Sequence, residues 1–243
     1  MTLSAGTDEL RAQVERYPWY HTLELGDGVV TPGMFDHRPV LDRYPIPADL
    51  SGKRCLDVAT MDGFWAFEME RRGAASVTAI DLDDPEELDW PAALRGHHDK
   101  QIDETKRDRF MLAKQALGSN VERVALSAYD LSPELGMFDF VFCGDLLLHL
   151  KDPITPVENI RSVCTGSAVI ANVIKRFRFQ DKRPLAELDG IDQFEWWVTN
   201  LAGLSRIVRS AGFARVEPGE TFELPFTFES DWNGLRGVVT AWV

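Results

Sequence analysis

Cysteine is scarce and scattered: Cys55, Cys143 and Cys164 are the only three in 243 residues, and no two form a C-x-x-C pair. That excludes a disulfide framework and a cysteine-built zinc site, and it fits a reducing compartment. Long apolar runs are missing too; none approaches the ~20 residues needed to span a bilayer. Met1 to Tyr17 carries Asp8, Glu9, Arg11, Glu15 and Arg16 and no apolar core, so it is not read as a secretory signal. Positive charge is in deficit: 26 Lys+Arg against 39 Asp+Glu give a net charge of −13. Such a field repels polyphosphate and argues against non-specific nucleic-acid binding, although one local basic patch is still allowed. The expectation is a cytoplasmic protein with no membrane partner.

What is present is ordinary globular material. Hydrophobic residues make up 44% and charged residues 27%, which excludes global disorder. The length suits one elaborated domain, or one domain and a lid, with a core large enough to need no staples.

Residues 7–17 suit a short helix. His21 to Leu25 alternates, Gly26-Asp27-Gly28 interrupts, and Val29 to Thr31 resumes, which predicts a hairpin closed at Thr31-Pro32-Gly33. A loop with Pro39, Pro45 and Pro47 follows, and the domain boundary is placed near Leu50, giving a helix-and-hairpin lid over 1–50 and a main domain over 51–243. From Lys53 onward, strands alternate with helices. Strands are predicted at 54–59, 76–80, 121–126, 138–143, 167–174, 214–221 and 237–242, and helices at 63–72, 104–117, 157–163 and 200–211. Residues 83–103 read as acidic and irregular. This alternation implies an α/β fold with a doubly wound, mostly parallel seven-stranded sheet, which binds ligands beyond the carboxyl ends of its strands.

The first strand-to-helix turn, Leu56-Asp-Val-Ala-Thr-Met-Asp-Gly63, lacks the glycines of a dinucleotide loop: Ala59 and Met61 stand in their places and only Gly63 is left. A pyrophosphate suits that turn poorly. S-adenosylmethionine carries an amino-acid tail, a sulfonium and an adenosine, and tolerates fewer glycines. Asp57 suits its cationic parts, Asp81 at the tip of the next strand suits two ribose hydroxyls, and Asp130 suits an adenine amino group. Singly, each such aspartate is as well explained as a helix cap. Together they fall in order at successive strand ends.

On these residues the sequence resembles the class I S-adenosylmethionine-dependent methyltransferases. Leu56–Gly63 resembles their glycine-rich motif, Ala79-Ile80-Asp81 their ribose motif, Tyr129-Asp130 their adenine motif, and Phe138 to Pro153 the segment after their fourth strand. Trp19-Tyr20-His21, Gly28 to Gly33 and Asn200 to Phe213 resemble a branch similar to the tRNA wobble-uridine carboxymethyltransferases. The resemblance implies a Rossmann-like fold, S-adenosyl-L-methionine as cofactor, and cofactor contacts from Asp57, Ala59, Thr60, Gly63, Asp81, Leu82, Tyr129, Asp130 and Gly144. The departures from the pattern are Ala59 and Met61.

Methyl transfer is an in-line displacement, and a hydroxyl acceptor also needs a base. His149 is the first candidate for that base, with a packing role before Asp152-Pro153 as the alternative; Asp145 is placed to orient a histidine or a substrate hydroxyl. His21 is a rival base, or else a strand residue facing water. Tyr20, His21, Arg176, Trp196 and Trp197 are the candidate substrate contacts. Arg176 lies in the basic run Lys175 to Arg183, which otherwise reads as a solvated loop, and the two tryptophans suit either stacking or core. His97-His98 are adjacent and point apart, so no metal site is assigned. The leading expectation is an enzyme that methylates a small molecule, at a hydroxyl of a sugar or secondary metabolite. The alternatives are tRNA carboxymethyl transfer, which the net charge disfavours, and a non-catalytic cofactor-binding protein. A dehydrogenase fits least. The oligomeric state, homodimer included, is left open.

Overall fold

The computed structural model describes residues 5–96, 104–178, 182–224, 226–228 and 234–243. Its centre is a seven-stranded sheet in the order β10-β11-β7-β6-β3-β4-β5. The strands are β3 (Arg54–Val58), β4 (Ser76–Asp81), β5 (Glu122–Ala125), β6 (Phe138–Gly144), β7 (Cys164–Val173), β10 (Arg215–Glu223) and β11 (Leu235–Trp242). Pairings from β5 across to β7 are parallel, and β11 joins β7, and β10 joins β11, antiparallel.

Both faces of the sheet are covered, which is why its central strands read as nearly continuous apolar runs. Along β6 the side chains alternate: Phe140 and Phe142 enter one buried cluster, Val141 and Cys143 the other. On the first face lie α2 (Phe64–Arg71) and α3 (Lys106–Leu117), through Trp65, Met69 and Phe110; on the second lie α4 (Ile154–Val163) and α5 (Leu201–Ser210), through Val157, Ile160 and Leu204. Asn200 caps α5 by accepting the Gly203 N–H at 2.8 Å. At the start of α2, Gly63 has φ 98°, and a Cβ there would lie 2.4 Å from the Phe67 ring and 2.9 Å from Phe110. Only glycine lets α2 and α3 approach this closely.

The N-terminal segment departs from the predicted hairpin. After α1 (Ala5–Val14), β1 (Trp19–His21) pairs parallel with β2 (Gly33–Phe35). The chain does reverse at Gly26-Asp27-Gly28, all with positive φ, but only a single antiparallel bridge, Glu24 to Val30, forms there. The Thr31 hydroxyl then ties the loop shut, donating to the His21 carbonyl and accepting the Leu23 N–H, both at 2.7 Å. The second reversal makes β2 run alongside β1, where a Cβ on Gly33 would sit 2.1 Å from the His21 carbonyl carbon. Trp19, Leu23, Phe35 and Tyr44 from this segment share the buried cluster of α2 and α3.

A short antiparallel pair, β8 (Ala186–Leu188) and β9 (Trp197–Thr199), follows β7. Cys55, Cys143 and Cys164 are all free and buried, and burial pushes the Cys55 thiol up to about 12. No helix among the described residues is long and apolar enough to cross a membrane.

Candidate active site

Strand order reverses at β3, with β4 and β5 built to one side and β6 and β7 to the other. The crevice at such a switch point, beyond the carboxyl ends of the strands, is where open α/β sheets bind ligands. A cavity of about 250 Å³ lies there.

The turn after β3 forms its floor. Ala59 and Met61 both hold left-handed backbone, φ 63° and 51°, where glycine would be unstrained. The Ala59 and Thr60 N–H groups donate to the Ile80 carbonyl at 2.9 and 3.1 Å, and the Met61 N–H donates to Asp81 Oδ2 at 2.8 Å. Tertiary bonds thus impose the conformation that sequence favours weakly. Ala59→Gly is expected to raise stability by about 1 kcal/mol by relieving that strain, with cofactor affinity similar or slightly better. Thermal melts and calorimetry check it, and a lowered melting temperature would show that the turn carries no strain.

Ala59 and Met61 line the cavity, whereas Asp57, Thr60 and Gly63 lie beneath it. Asp57 is buried, and the Thr60 hydroxyl donates to its Oδ2 at 2.7 Å. Burial raises its carboxyl from the ordinary 3.8 to about 7. The folded state therefore binds this proton more tightly than the unfolded chain, and stability falls as pH climbs from about 4 through about 7. Asp57→Asn is expected to gain on the wild type by about 2–4 kcal/mol between pH 5 and pH 8. Melts at the two values read this difference; parallel pH dependences would contradict it.

Asp81, at the tip of β4, lines the cavity with Leu82. Its Oδ1 accepts from the Lys106 ammonium at 2.7 Å, and Lys106 is only 1% exposed. Tyr129 lines the cavity after β5 and donates its hydroxyl to Asp89 Oδ2 at 2.7 Å, but Asp130 is exposed to solvent. The chain after β5 presents Ser127 and Ala128 to the cavity instead, because Asn159 of α4 holds the carbonyls of Ala128 and Tyr129.

At the end of β6 Gly144, and after it Asp145 and His149, all stand on the lining. Asp145 accepts from Arg236 Nε at 2.7 Å; Arg236, on β11, is fully buried. His149 donates through Nδ1 to the Phe194 carbonyl and stacks on the Phe194 ring at 4.6 Å. Burial lowers its pKa, the Phe194 bond and Asp145 partly offsetting it, so the ring stays neutral at neutral pH.

The N-terminal segment closes the opposite wall with Tyr20, His21, His37 and Tyr44. His21 does not face water; it is buried, with Nδ1 bonded to Asp62 Oδ1. Asp62 Oδ2 accepts the N–H groups of Tyr20 and His21 at 2.8 and 3.1 Å. Burial alone would raise the Asp62 carboxyl, but His21 and Arg109 outweigh it and hold it below the usual range. His37 Nδ1 and the Tyr44 hydroxyl are hydrogen-bonded at 3.0 Å.

Three candidate substrate contacts lie off the cavity. Arg176 is exposed. Trp196 and Trp197 donate their indole N–H groups to the carbonyls of Asp89 and Lys151, at 2.6 and 3.0 Å, and so anchor the β8–β9 segment. Phe194, between Trp90 and His149, is the ring of this segment that lines the cavity. His97 and His98 fall outside the described residues.

No family model matches the chain. Among curated proteins it is 26% identical over 173 residues to a tRNA U34 carboxymethyltransferase of Ectopseudomonas mendocina (strain ymp), a match covering 69% of this chain and 47% of that protein. It is 34% identical over 114 residues to a ubiquinone biosynthesis O-methyltransferase of Neisseria meningitidis serogroup C (strain 053442), covering 46% and 40%. The chain thus spans about half the length of the curated relatives it matches or less. Among solved structures, the N-terminal domain of EvdMO1, determined in the presence of SAH and D-fucose, superposes with a TM-score of 0.62 at 15% identity, covering 100% of this chain and 99% of that one. A SAM-dependent methyltransferase from Aquifex aeolicus superposes with a TM-score of 0.51 at 20% identity, covering 86% and 90%.

Proposed function

We infer that this chain, whose fold is that of the class I S-adenosylmethionine-dependent methyltransferases, binds S-adenosylmethionine at the switch-point cavity and methylates a hydroxyl of a small molecule, such as a sugar or a secondary metabolite. The observation that carries the reading is the convergence on one cavity of the Ala59–Met61 turn, the Asp81 carboxylate and three histidines, His21, His37 and His149, each hydrogen-bonded through Nδ1.

The residues present fit this cofactor. Glu87, Asp89 and Asp145 join Asp81 on the lining, against Lys106 as the one lysine or arginine there among the described residues, which suits a sulfonium and an ammonium and would repel a pyrophosphate. Each Asp81 oxygen accepts one bond in the structure, from Lys106 and from the Met61 N–H, and retains a lone pair for a ribose hydroxyl. Bound there, the cofactor would supply an electrophilic methyl group on sulfur. Leu82 and the stretch from Leu126 to Tyr129 would flank its adenine, with Asp57 and Thr60 supporting the turn from below.

The chain's own part is positioning and proton transfer. We assign residues 1–50 as a lid over a 51–243 domain, since Tyr20, His21, His37 and Tyr44 wall the side where an acceptor would enter. Excluding water there protects the reacting oxygen, and a neutral imidazole takes its proton. The protein is assigned to the cytoplasm, in keeping with its three unpaired, buried cysteines.

The curated tRNA-modifying relative motivates a second reading, carboxymethyl transfer to a tRNA wobble uridine. The net charge of −13 opposes it. A screen of pooled sugars and metabolites, read out by S-adenosylhomocysteine release, tests the first reading. Release only with tRNA, together with a tRNA gel shift at physiological salt, would replace it with the second.

A further inference from the structure

We propose that His21, held by Asp62, is the general base that accepts the acceptor's hydroxyl proton, an assignment that rests on the methyl-transfer reading above. Asp62 belongs to the same turn as Ala59 and Met61, yet its side chain points away from the cofactor floor and into the lid. There it is fully buried. One carboxylate oxygen accepts a hydrogen bond from His21 Nδ1–H; the other accepts the backbone N–H groups of Tyr20 and His21, with Arg109 Nε 3.6 Å away. The ring is therefore fixed in orientation, and in the neutral tautomer that donates to Asp62 its Nε2 is the free acceptor. The rings of Tyr20, His37 and Phe64 pack around it at 4.8, 5.3 and 5.6 Å between centroids.

His149 shares the Nδ1-donor arrangement but not its electrostatics. A base becomes an imidazolium as it accepts the proton. At His21 that charge forms hydrogen-bonded to a buried carboxylate; at His149 it forms against the neutral carbonyl of Phe194, and the Asp145 carboxylate that also faces it makes no hydrogen bond to the ring and is paired with Arg236. A carboxylate stabilises the cation far more than a carbonyl dipole does in a desolvated site. The neighbouring His37 adds no competing charge, because its burial, with His21 and Arg236 nearby, holds it well below the usual imidazole range. One loop thus sets both the cofactor floor and the base, which keeps acceptor, methyl carbon and sulfur in one frame.

In the step itself, the acceptor O–H gives its proton to His21 Nε2 while an oxygen lone pair forms the new O–C bond to the methyl carbon. The C–S electron pair stays with sulfur, which leaves as a neutral thioether, and the imidazolium later releases its proton to solvent. His21 is the catalytic residue; Asp62 is a positioning residue.

Two readouts test this on the full chain. Nitrogen-15 imidazole spectra of the wild type at pH 7.5, assigned against His21→Gln, are expected to show His21 with a protonated Nδ1, a downfield Nδ1 proton and a bare Nε2. In steady-state assays with the acceptor from the screen, His21→Gln is expected to lower kcat by about 10²–10⁴-fold. Asp62→Asn is expected to lower kcat at least about tenfold, with KM for the acceptor and cofactor Kd within about threefold of wild type. A wild-type ring carrying its proton on Nε2, or His21→Gln turning over within about threefold of wild type, overturns the assignment alone. If Asp62→Asn does not fold, the ring spectrum and His21→Gln decide. A wild type that binds no S-adenosylmethionine overturns the methyl-transfer reading and the assignment together.

Discussion

Replacing Asp81 by alanine is expected to cost about 3–5 kcal/mol of stability, because it strands a buried cation. Lys106 is 1% exposed, and Asp81 is the acceptor 2.7 Å from its ammonium. The Met61 N–H loses its acceptor in the same step, which loosens the cavity floor. For a chain of this length the loss corresponds to a melting temperature lower by roughly 6–20 °C. The repair is specific. Adding Lys106→Met removes the stranded charge, so Asp81→Ala with Lys106→Met is expected to recover most of the loss. With Lys106→Met alone as reference, that double variant then isolates the role of Asp81 in binding. S-adenosylmethionine affinity is expected to fall about 10- to 100-fold, since charge-assisted bonds to two ribose hydroxyls are worth about 1.5–3 kcal/mol. Unchanged affinity in the folded double variant would remove Asp81 from the site.

Arg236→Met is expected to be nearly as damaging, at about 3–5 kcal/mol. Arg236 emerges from β11 fully buried, donates to Asp145 Oδ2 at 2.7 Å and lies 5.3 Å from the centre of the Phe35 ring. It therefore ties β11, the strand next to the sheet's edge, to the loop after β6 and to the lid at once. Asp145 itself has left-handed backbone, φ 48°, and the ion pair is one of the contacts that hold it there. Removing Arg236 leaves the Asp145 carboxylate, only 13% exposed, without its cation. Asp145→Asn with Arg236→Met removes the uncompensated charge and is expected to recover much of the stability. Denaturant unfolding of the single and double variants measures the coupling. Additive losses would show that the pair carries no interaction.

Much of the fold was legible because a doubly wound sheet writes itself as strand–turn–helix units. The strands read at 54–59 and 138–143 and the helices read at 63–72 and 104–117 rest on local signals. The position of Asp81 was equally legible, since a carboxylate ending a strand is visible in the chain. The pairing of β1 with β2 was not, because each is three residues long and its geometry is set by the Thr31 side chain and the close approach at Gly33. Asp62 looked like a turn residue beside Gly63; its partner His21 lies 41 positions away, and only tertiary structure joins them. Lys106 is hidden in a helix with Arg107 and Arg109, where nothing local marks which cation turns inward. His37 and Tyr44 stand in a proline-rich loop that reads as a connection. Asp130 carried a family pattern, but the Asn159 contacts set which side chains of that loop reach the cavity. The tryptophans at 196 and 197 suited either stacking or core; the bonds from their indole N–H groups to the carbonyls of Asp89 and Lys151 are tertiary and left no mark in the sequence.

The crevice at the β3 switch point is proposed as an S-adenosylmethionine site. Isothermal titration of the wild-type chain with S-adenosylmethionine, and separately with NAD, tests it most directly. Saturable one-to-one binding of S-adenosylmethionine is expected, weakened in Asp81→Ala with Lys106→Met relative to Lys106→Met, with no binding of NAD. Saturable binding of NAD with none of S-adenosylmethionine would contradict it.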